Sequence, residues 1–209
     1  MEKLNLIREL NDLCRQSVDS DQPLLTLELR RLMHQLEPDN QDVRLQIADK
    51  LREIGRFAES EKSFADITPE ALTSRMKGYY YLGLGRLYQE TGRYDEAESY
   101  YRMAAEERPE STVSWVFLGA LLSVKGKTLE ALDVYMRARS AKGDTDEVLF
   151  NIASCYRTLG KLNDARDYYV KAQAAGAKEE LVAPILKELD EVEAIHDKFD
   201  KLVDQCLIE

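Results

Sequence analysis

Tyr81-Leu82-Gly83-Leu84-Gly85-Arg86-Leu87-Tyr88-Gln89-Glu90-Thr91-Gly92-Arg93-Tyr94-Asp95-Glu96-Ala97-Glu98-Ser99-Tyr100-Tyr101-Arg102-Met103-Ala104 is the stretch that decides the fold. Tyr81, Leu84, Gly85 and Tyr88 recur at i, i+3, i+4 and i+7, which is one stripe of an amphipathic helix. Gly92 ends that helix. Asp95 and Glu96 open a second one, where acids suit the positive end of the helix dipole. Its stripe is Ala97, Tyr100, Tyr101 and Ala104, and Pro109 closes the unit. Small residues mark where two helices approach closely, so the expectation is that Gly85 faces Ala97 and that Ala104 leaves room for the next unit.

The unit then returns at a period of 34 residues. Trp115 follows Tyr81, Gly119 follows Gly85, and Gly92, Gly126 and Gly160 are equally spaced. Ala97, Ala131 and Ala165 share that spacing, as do Tyr101, Tyr135 and Tyr169, and Ala104, Ala138 and Ala172. A helix pair that cannot bury its apolar face alone stacks on its neighbours, and such a register marks a solenoid that holds another polypeptide.

Many positions agree at once with the tetratricopeptide repeat, and the chain resembles that family. Tyr81, Leu84, Gly85 and Tyr88 match its first helix, Ala97, Tyr101 and Ala104 its second, and Pro109 its terminal proline. The unit at 112–145 repeats this with Trp115, Leu118, Gly119, Leu122, Ala131, Tyr135 and Ala138, but carries Gly143 in place of the proline. The unit at 146–179 has Leu149, Ile152, Ala153, Tyr156, Ala165, Tyr169 and Ala172. A diverged unit at 41–77 keeps Ile47, Ala48, Leu51, Gly55, Phe57 and Phe64, puts Ser60 where the small Ala belongs, and adds about three residues near Thr68-Pro69, read as a longer second helix or loop. Residues 1–40 fit only weakly and are expected to cap the stack, with Pro23 at a helix start. The resemblance implies an all-α fold, a right-handed α-solenoid of about five helix pairs followed by a long C-terminal helix.

That last helix, in 180–209, carries Val182, Ile185, Leu189, Val192, His196, Phe199, Val203 and Cys206 at alternating spacings of three and four, the seam of a heptad. Pro184 falls in its first turn, where a missing N–H costs little. Its first half is expected to cover the last repeat, and its second half to overshoot and pair with a twin or a partner, a route to a homodimer.

The charge balance narrows the partners. The chain has 209 residues, 29 Lys and Arg against 39 Asp and Glu, and a net charge of −10. That balance repels nucleic acid and anionic lipid, and no stretch approaches the about 18 apolar residues of a membrane span. The N-terminus lacks the pattern of a secretory signal, so a cytoplasmic location is expected. Cys14, Cys155 and Cys206 are far apart and form no Cys-x-x-Cys pair, so free thiols are expected and no metal site.

No residue pattern points to catalysis or to a cofactor. His34 and His196 lie in different helices without a neighbouring nucleophile or ligand set. Gly126-Lys127-Thr128 ends like a phosphate loop, but Leu121 stands where its first glycine belongs, and the context is a helix–helix turn. Gly83-Leu84-Gly85 reads as close packing inside a helix. Cys206-Leu207-Ile208-Glu209 has the outline of a prenylation motif with an unfavourable last residue and an acidic tail before it.

What remains is the face of each first helix not used in packing, because in this family the first helices line the concave surface. In three units these faces carry Tyr79, Leu82 and Arg86; Val113, Val116 and Phe117; and Phe150, Asn151 and Arg157. The diverged unit offers Asp42, Gln46, Asp49 and Arg52. The expectation is a groove apolar in its middle and charged at one end, binding a protein or peptide with an apolar segment. The family's carboxylate clamp for chaperone tails is absent: the corresponding places hold Leu82 and Arg86, then Phe117, then Glu147 and Asn151. The function expected is that of an interaction scaffold or adaptor, with a chaperone for a secreted apolar client or a regulatory subunit of an enzyme as alternatives.

Overall fold

The computed structural model describes residues 2–143 and 145–208, with the side chains of Lys142 and of 204–208 outside that description. Among the described residues the secondary structure is helical: α1 Glu2–Asp19, α2 Pro23–Leu36, α3 Gln41–Glu53, α4 Phe57–Ala65, α5 Ser74–Glu90, α6 Tyr94–Glu107, α7 Thr112–Val124, α8 Thr128–Lys142, α9 Asp146–Thr158, α10 Leu162–Ala174 and α11 Glu179–Ile208. A 3₁₀ turn at Pro69–Ala71 lies between α4 and α5. The chain divides into two compact units, one up to Arg108 and one from Pro109. The pairs α1/α2, α3/α4 and α5/α6 make the first; α7/α8, α9/α10 and α11 make the second.

Each pair is joined by a turn that the sequence dictates. Gly92 sits at φ +79°, and the Arg93 N–H donates to Tyr88 O at 2.7 Å. This left-handed glycine with a six-to-one bond is the Schellman stop, which closes the carbonyls that a helix end leaves open. Gly126 and Gly160 repeat it at φ +74° and +72°.

In the first unit Leu10 and Cys14 of α1 pack on Leu27, Leu29 and Met33 of α2 and on Val43, Ile47 and Leu51 of α3. Buried between α1 and α2, the hydroxyls of Ser17 and Thr26 bond at 2.7 Å. Pro23 opens α2 as expected. Ser60, the departure from the small-residue pattern, is buried, and its hydroxyl donates to Ala48 O at 2.7 Å, so α3 and α4 still approach closely.

One expectation changes in detail, and one of two alternatives drops out. Gly85 faces the ring of Tyr101 rather than Ala97. The extra residues near Thr68-Pro69 do not lengthen α4, which has only nine residues. They form the 3₁₀ turn, and Thr73 then caps α5 by accepting from Met76 N–H, so this first helix begins at Ser74, ahead of the 78 register. A proline has no N–H to give a helix interior, so Pro69 sits at the start of a new turn.

In the second unit Val182 and Leu189 of α11 bury against Ala153, Ala165 and Tyr169, with Phe150, Ile185 and Leu186 packed around them. Arg166 reaches Asp190 at 2.8 Å and Arg157 reaches Glu188 at 3.7 Å. The first half of α11 therefore covers α9 and α10. Beyond it Ile195, Phe199 and Leu202 are 65%, 63% and 51% exposed.

Candidate functional site

In the first unit, Asp42, Leu45, Gln46 and Asp49 stand on one face of α3 at i, i+3, i+4 and i+7. Arg75, Met76, Tyr79, Leu82, Gly83 and Arg86 share one face of α5. Between these first-helix faces lies a cavity of about 810 Å³, within the size range of ligand-binding clefts. Its floor is apolar and its two walls differ in charge, acidic on α3 and basic on α5.

Side-chain caps fix where these faces begin. The Asn40 side chain accepts from the N–H groups of Asp42 and Val43 and so aims α3, as Thr73 aims α5. The acidic wall is largely satisfied within the protein. Asp42 accepts from Gln46 at 2.9 Å, and Gln46 in turn accepts from Arg30 of α2. Asp49 accepts at 2.9 Å from Arg52, which is only 3% exposed and also donates to Glu90 of α5 at 2.6 Å. Burial is the largest influence on Arg52 and pulls its pKa down, but Asp49, Glu90 and Glu53 more than offset it and hold the guanidinium charged. Arg52 thus pins α3 to α5 behind the groove.

The basic wall is different. Arg75 and Arg108 lie 6.0 and 4.7 Å from the centroid of the Tyr79 ring, which is 43% exposed. Hydrogen bonds from Arg108 and then Arg75 lower the pKa of the Tyr79 hydroxyl. A guanidinium pair about a half-exposed aromatic ring is a site suited to an anion beside an apolar surface.

Of the residues expected in the groove, Tyr79, Leu82 and Arg86 come together here. Asp42, Gln46 and Asp49 line the charged side of the same cavity, whereas Arg52 is buried behind it. In the second unit Val113 is 48% exposed on α7, and Val116 and Phe117 are half-buried on the same helix. Asn151 is half-buried on α9. Phe150 is not on a free face: it packs edge-on against Tyr169, with centroids 5.3 Å apart, because α11 closes that side of the pair. Arg157 is engaged by Glu188 of α11 for the same reason.

Sequence reasoning missed Arg75 and Met76, which the 78 register assigns to the tail of the preceding unit, and Arg108, which sits past the second-helix stripe. The Thr73-Ser74 pair, a good helix start, was the available cue. Among the described residues no three His, Cys, Asp or Glu side chains gather as a metal set would, and no helix is long and apolar enough to cross a membrane.

Comparison with known proteins gives this geometry a family. No curated protein matches the chain. Solved structures match its fold at low identity. The structure from the functional characterisation of Pseudomonas aeruginosa PilF superposes with a TM-score of 0.76 at 16% identity, covering 94% of this chain and 88% of that one. A thermophilic tetratricopeptide protein of Thermus thermophilus gives 0.61 at 18%, covering 90% and 98%. MamA of Desulfovibrio magneticus gives 0.66 at 10%, covering 81% and 94%. The family model described as the SusR N-terminal TPR domain matches residues 27–180, and the chain belongs to this tetratricopeptide repeat family.

Proposed function

We propose that the chain is a protein–protein interaction module that takes an amphipathic segment of a partner into the groove between α3 and α5. The observation that carries this reading is the groove itself: Leu45, Met76, Leu82 and Gly83 form an apolar strip between an acidic and a basic wall. An apolar strip gives affinity by burial, and charges of opposite sign on its two sides fix the direction of the bound segment. Asp49 and Gln46 already have partners within the protein, whereas Arg75, bonded to the Tyr79 hydroxyl, carries a positive charge on the groove wall. The bound segment therefore presents apolar side chains along one face and a carboxylate at its edge. The apolar face of α7, with Val113, Val116 and Phe117, offers the second unit a contact surface of its own.

The test is site-specific photocrosslinking in cells. A benzoylphenylalanine at Leu82, inside the groove, is compared with one at Met103, exposed on α6. The expected result is a discrete adduct from position 82, identified as a peptide by mass spectrometry and lost with Tyr79→Asp. Adducts from position 103 with none from 82 defeat the reading.

A further inference from the structure

The two helices that wall the groove are tied to each other at one end. One turn beyond Asp49 and Arg86, the Arg52 Nε donates to Asp49 at 2.9 Å and its Nη1 donates to Glu90 of α5 at 2.6 Å, with a Glu53 oxygen 3.7 Å from Nη2. One guanidinium therefore stands among the carboxylates of Asp49 and Glu53, from its own helix, and of Glu90, from the facing one. Behind the groove α5 rests on α4. The Phe64 ring lies edge-on to Tyr80 with centroids 5.9 Å apart, and a Cβ on Gly83 would stand 2.7 Å from its Cζ. Glu61 of α4 accepts from Tyr88 at 3.1 Å and from Arg93 at 2.8 Å. Apolar contact is non-directional, so the tilt of α5 falls to these polar bonds, and toward α3 it falls to Arg52.

Stability alone is a poor reason for the Arg52 tie. The residue is 3% exposed and its Nη2 has no hydrogen-bond partner. Such a charge is desolvated without full compensation, and a well-packed apolar pair in its place is often as stable or more so. Nor does the tie belong to the repeat. The same places in the units at 112–145 and 146–179 hold Ser123 and Thr158, which cannot form it. It occurs at the step of the stack that carries the groove.

We propose that Arg52 is the positioning residue of the groove: through Asp49 and Glu90 it sets how far apart α3 and α5 stand, and so which apolar face fits between them. The inference rests on the groove reading above and adds the residue that tunes it. Without the guanidinium, Asp49, Glu53 and Glu90 face one another as like charges and push the helices apart. With an apolar pair instead, the helices still pack but lose their fixed spacing.

Pulsed electron spin resonance on the full chain measures that spacing. Nitroxide labels are carried on Asp42→Cys and Arg75→Cys, at the far end of the groove from Arg52, with Cys14→Ala, Cys155→Ala and Cys206→Ala as background. The parent chain gives one narrow distance distribution. Arg52→Met shifts it to longer distances at low salt, and added salt reverses the shift by screening the carboxylates. Arg52→Met combined with Glu90→Leu keeps the urea midpoint of the parent but broadens the distribution, and in cells its adduct from benzoylphenylalanine at position 82 falls about tenfold. That split between stability and groove is what ordinary structural glue would not produce. The proposal is overturned if the doubly apolar variant keeps both the narrow distribution and the adduct, if its midpoint falls together with them, or if Arg52→Met leaves the distances unchanged at low salt. A wild type with no adduct at position 82 defeats the groove reading alone, because the label distances decide the Arg52 tie without a partner.

Discussion

Tyr101, Tyr135 and Tyr169 occupy the same place in successive pairs, and all three are fully buried. The residue opposite each ring sets how near the first helix can come. A Cβ on Gly119 would stand 2.7 Å from Cε1 and Cζ of Tyr135, and Gly85 is crowded in the same way by Tyr101. Gly119→Ala gains about 1 kcal/mol of helix propensity but overpacks a buried ring, which costs about 1–3 kcal/mol. The ring has no exposed side to retreat to, so urea denaturation should show a net loss; a more stable variant would falsify the close approach. The glycine spacing was visible in the sequence, but the ring it accommodates was not, because periodicity identifies a stripe and says nothing of the rotamer across from it. The hydroxyls divide the three tyrosines further. Tyr101 donates to Gln89 at 2.7 Å, whereas the buried Tyr169 hydroxyl has no hydrogen-bond partner. Arg157 stands where Gln89 stands in the first of these pairs and turns to Glu188 instead. Tyr101→Phe should therefore cost about 1 kcal/mol, while Tyr169→Phe should be neutral or stabilising, since removing an unsatisfied buried polar group recovers its desolvation cost. Equal losses from the two variants would contradict this assignment.

At the scale of elements, helix pairing was legible because the period fixes which stripes face each other, and the later turns were legible because glycine takes the left-handed stop most readily; the stop after α1 falls on Asp21 at φ +50° and carried no such mark. The start of α5 was not, since the repeat register has no place for the residues around Pro69 and the Thr73 cap overrides it. The charged side of the groove was readable from Asp42, Gln46 and Asp49, but its most open cation, Arg75, fell outside the register for the same reason. α11 shows the limit most clearly. Heptad spacing runs Leu189 and Phe199 into one seam and does not say where docking stops, whereas Leu189 is 5% exposed and Phe199 63%. The two halves should respond differently to a buried charge. Val182→Asp places a carboxylate at a position with no exposure in the last pair and should lower stability by about 3 kcal/mol or more. Ile195→Asp, at 65% exposure, should change it by no more than about 0.5 kcal/mol. Urea denaturation at dilutions where the chain is monomeric measures both, and comparable losses would mean that the second half of α11 is docked as well.

Taken as a whole molecule, this acidic chain is held together by apolar helix faces and buried tyrosines, and its response to alkali follows from where those tyrosines lie. Burial is the main cause that pushes Tyr80 up to about 12 from an ordinary 10.0, with nearby Tyr100 and Tyr81 adding to it. Tyr101 and Tyr135 are raised as well, again chiefly by burial. A tyrosine whose folded pKa lies above its unfolded value keeps its proton in the folded state where the unfolded chain has lost it. Its contribution to stability is complete below pH of about 10 and declines as pH rises toward the folded pKa, because the unfolded chain then binds fewer protons. Tyr79 behaves in the opposite sense. Arg108 and Arg75 favour its ionised form, so any stabilisation it adds appears at high pH and is lost as pH falls through its lowered pKa. Tyrosinate absorbance and helical circular dichroism followed together from neutral pH upward should show two phases. The first is small, begins below the ordinary tyrosine range with helicity intact, and disappears in Tyr79→Phe. The second is larger and coincides with loss of helix, because ionising the buried rings requires opening the pairs that enclose them. Complete ionisation of the tyrosines with helicity retained would mean that these rings are not enclosed as described.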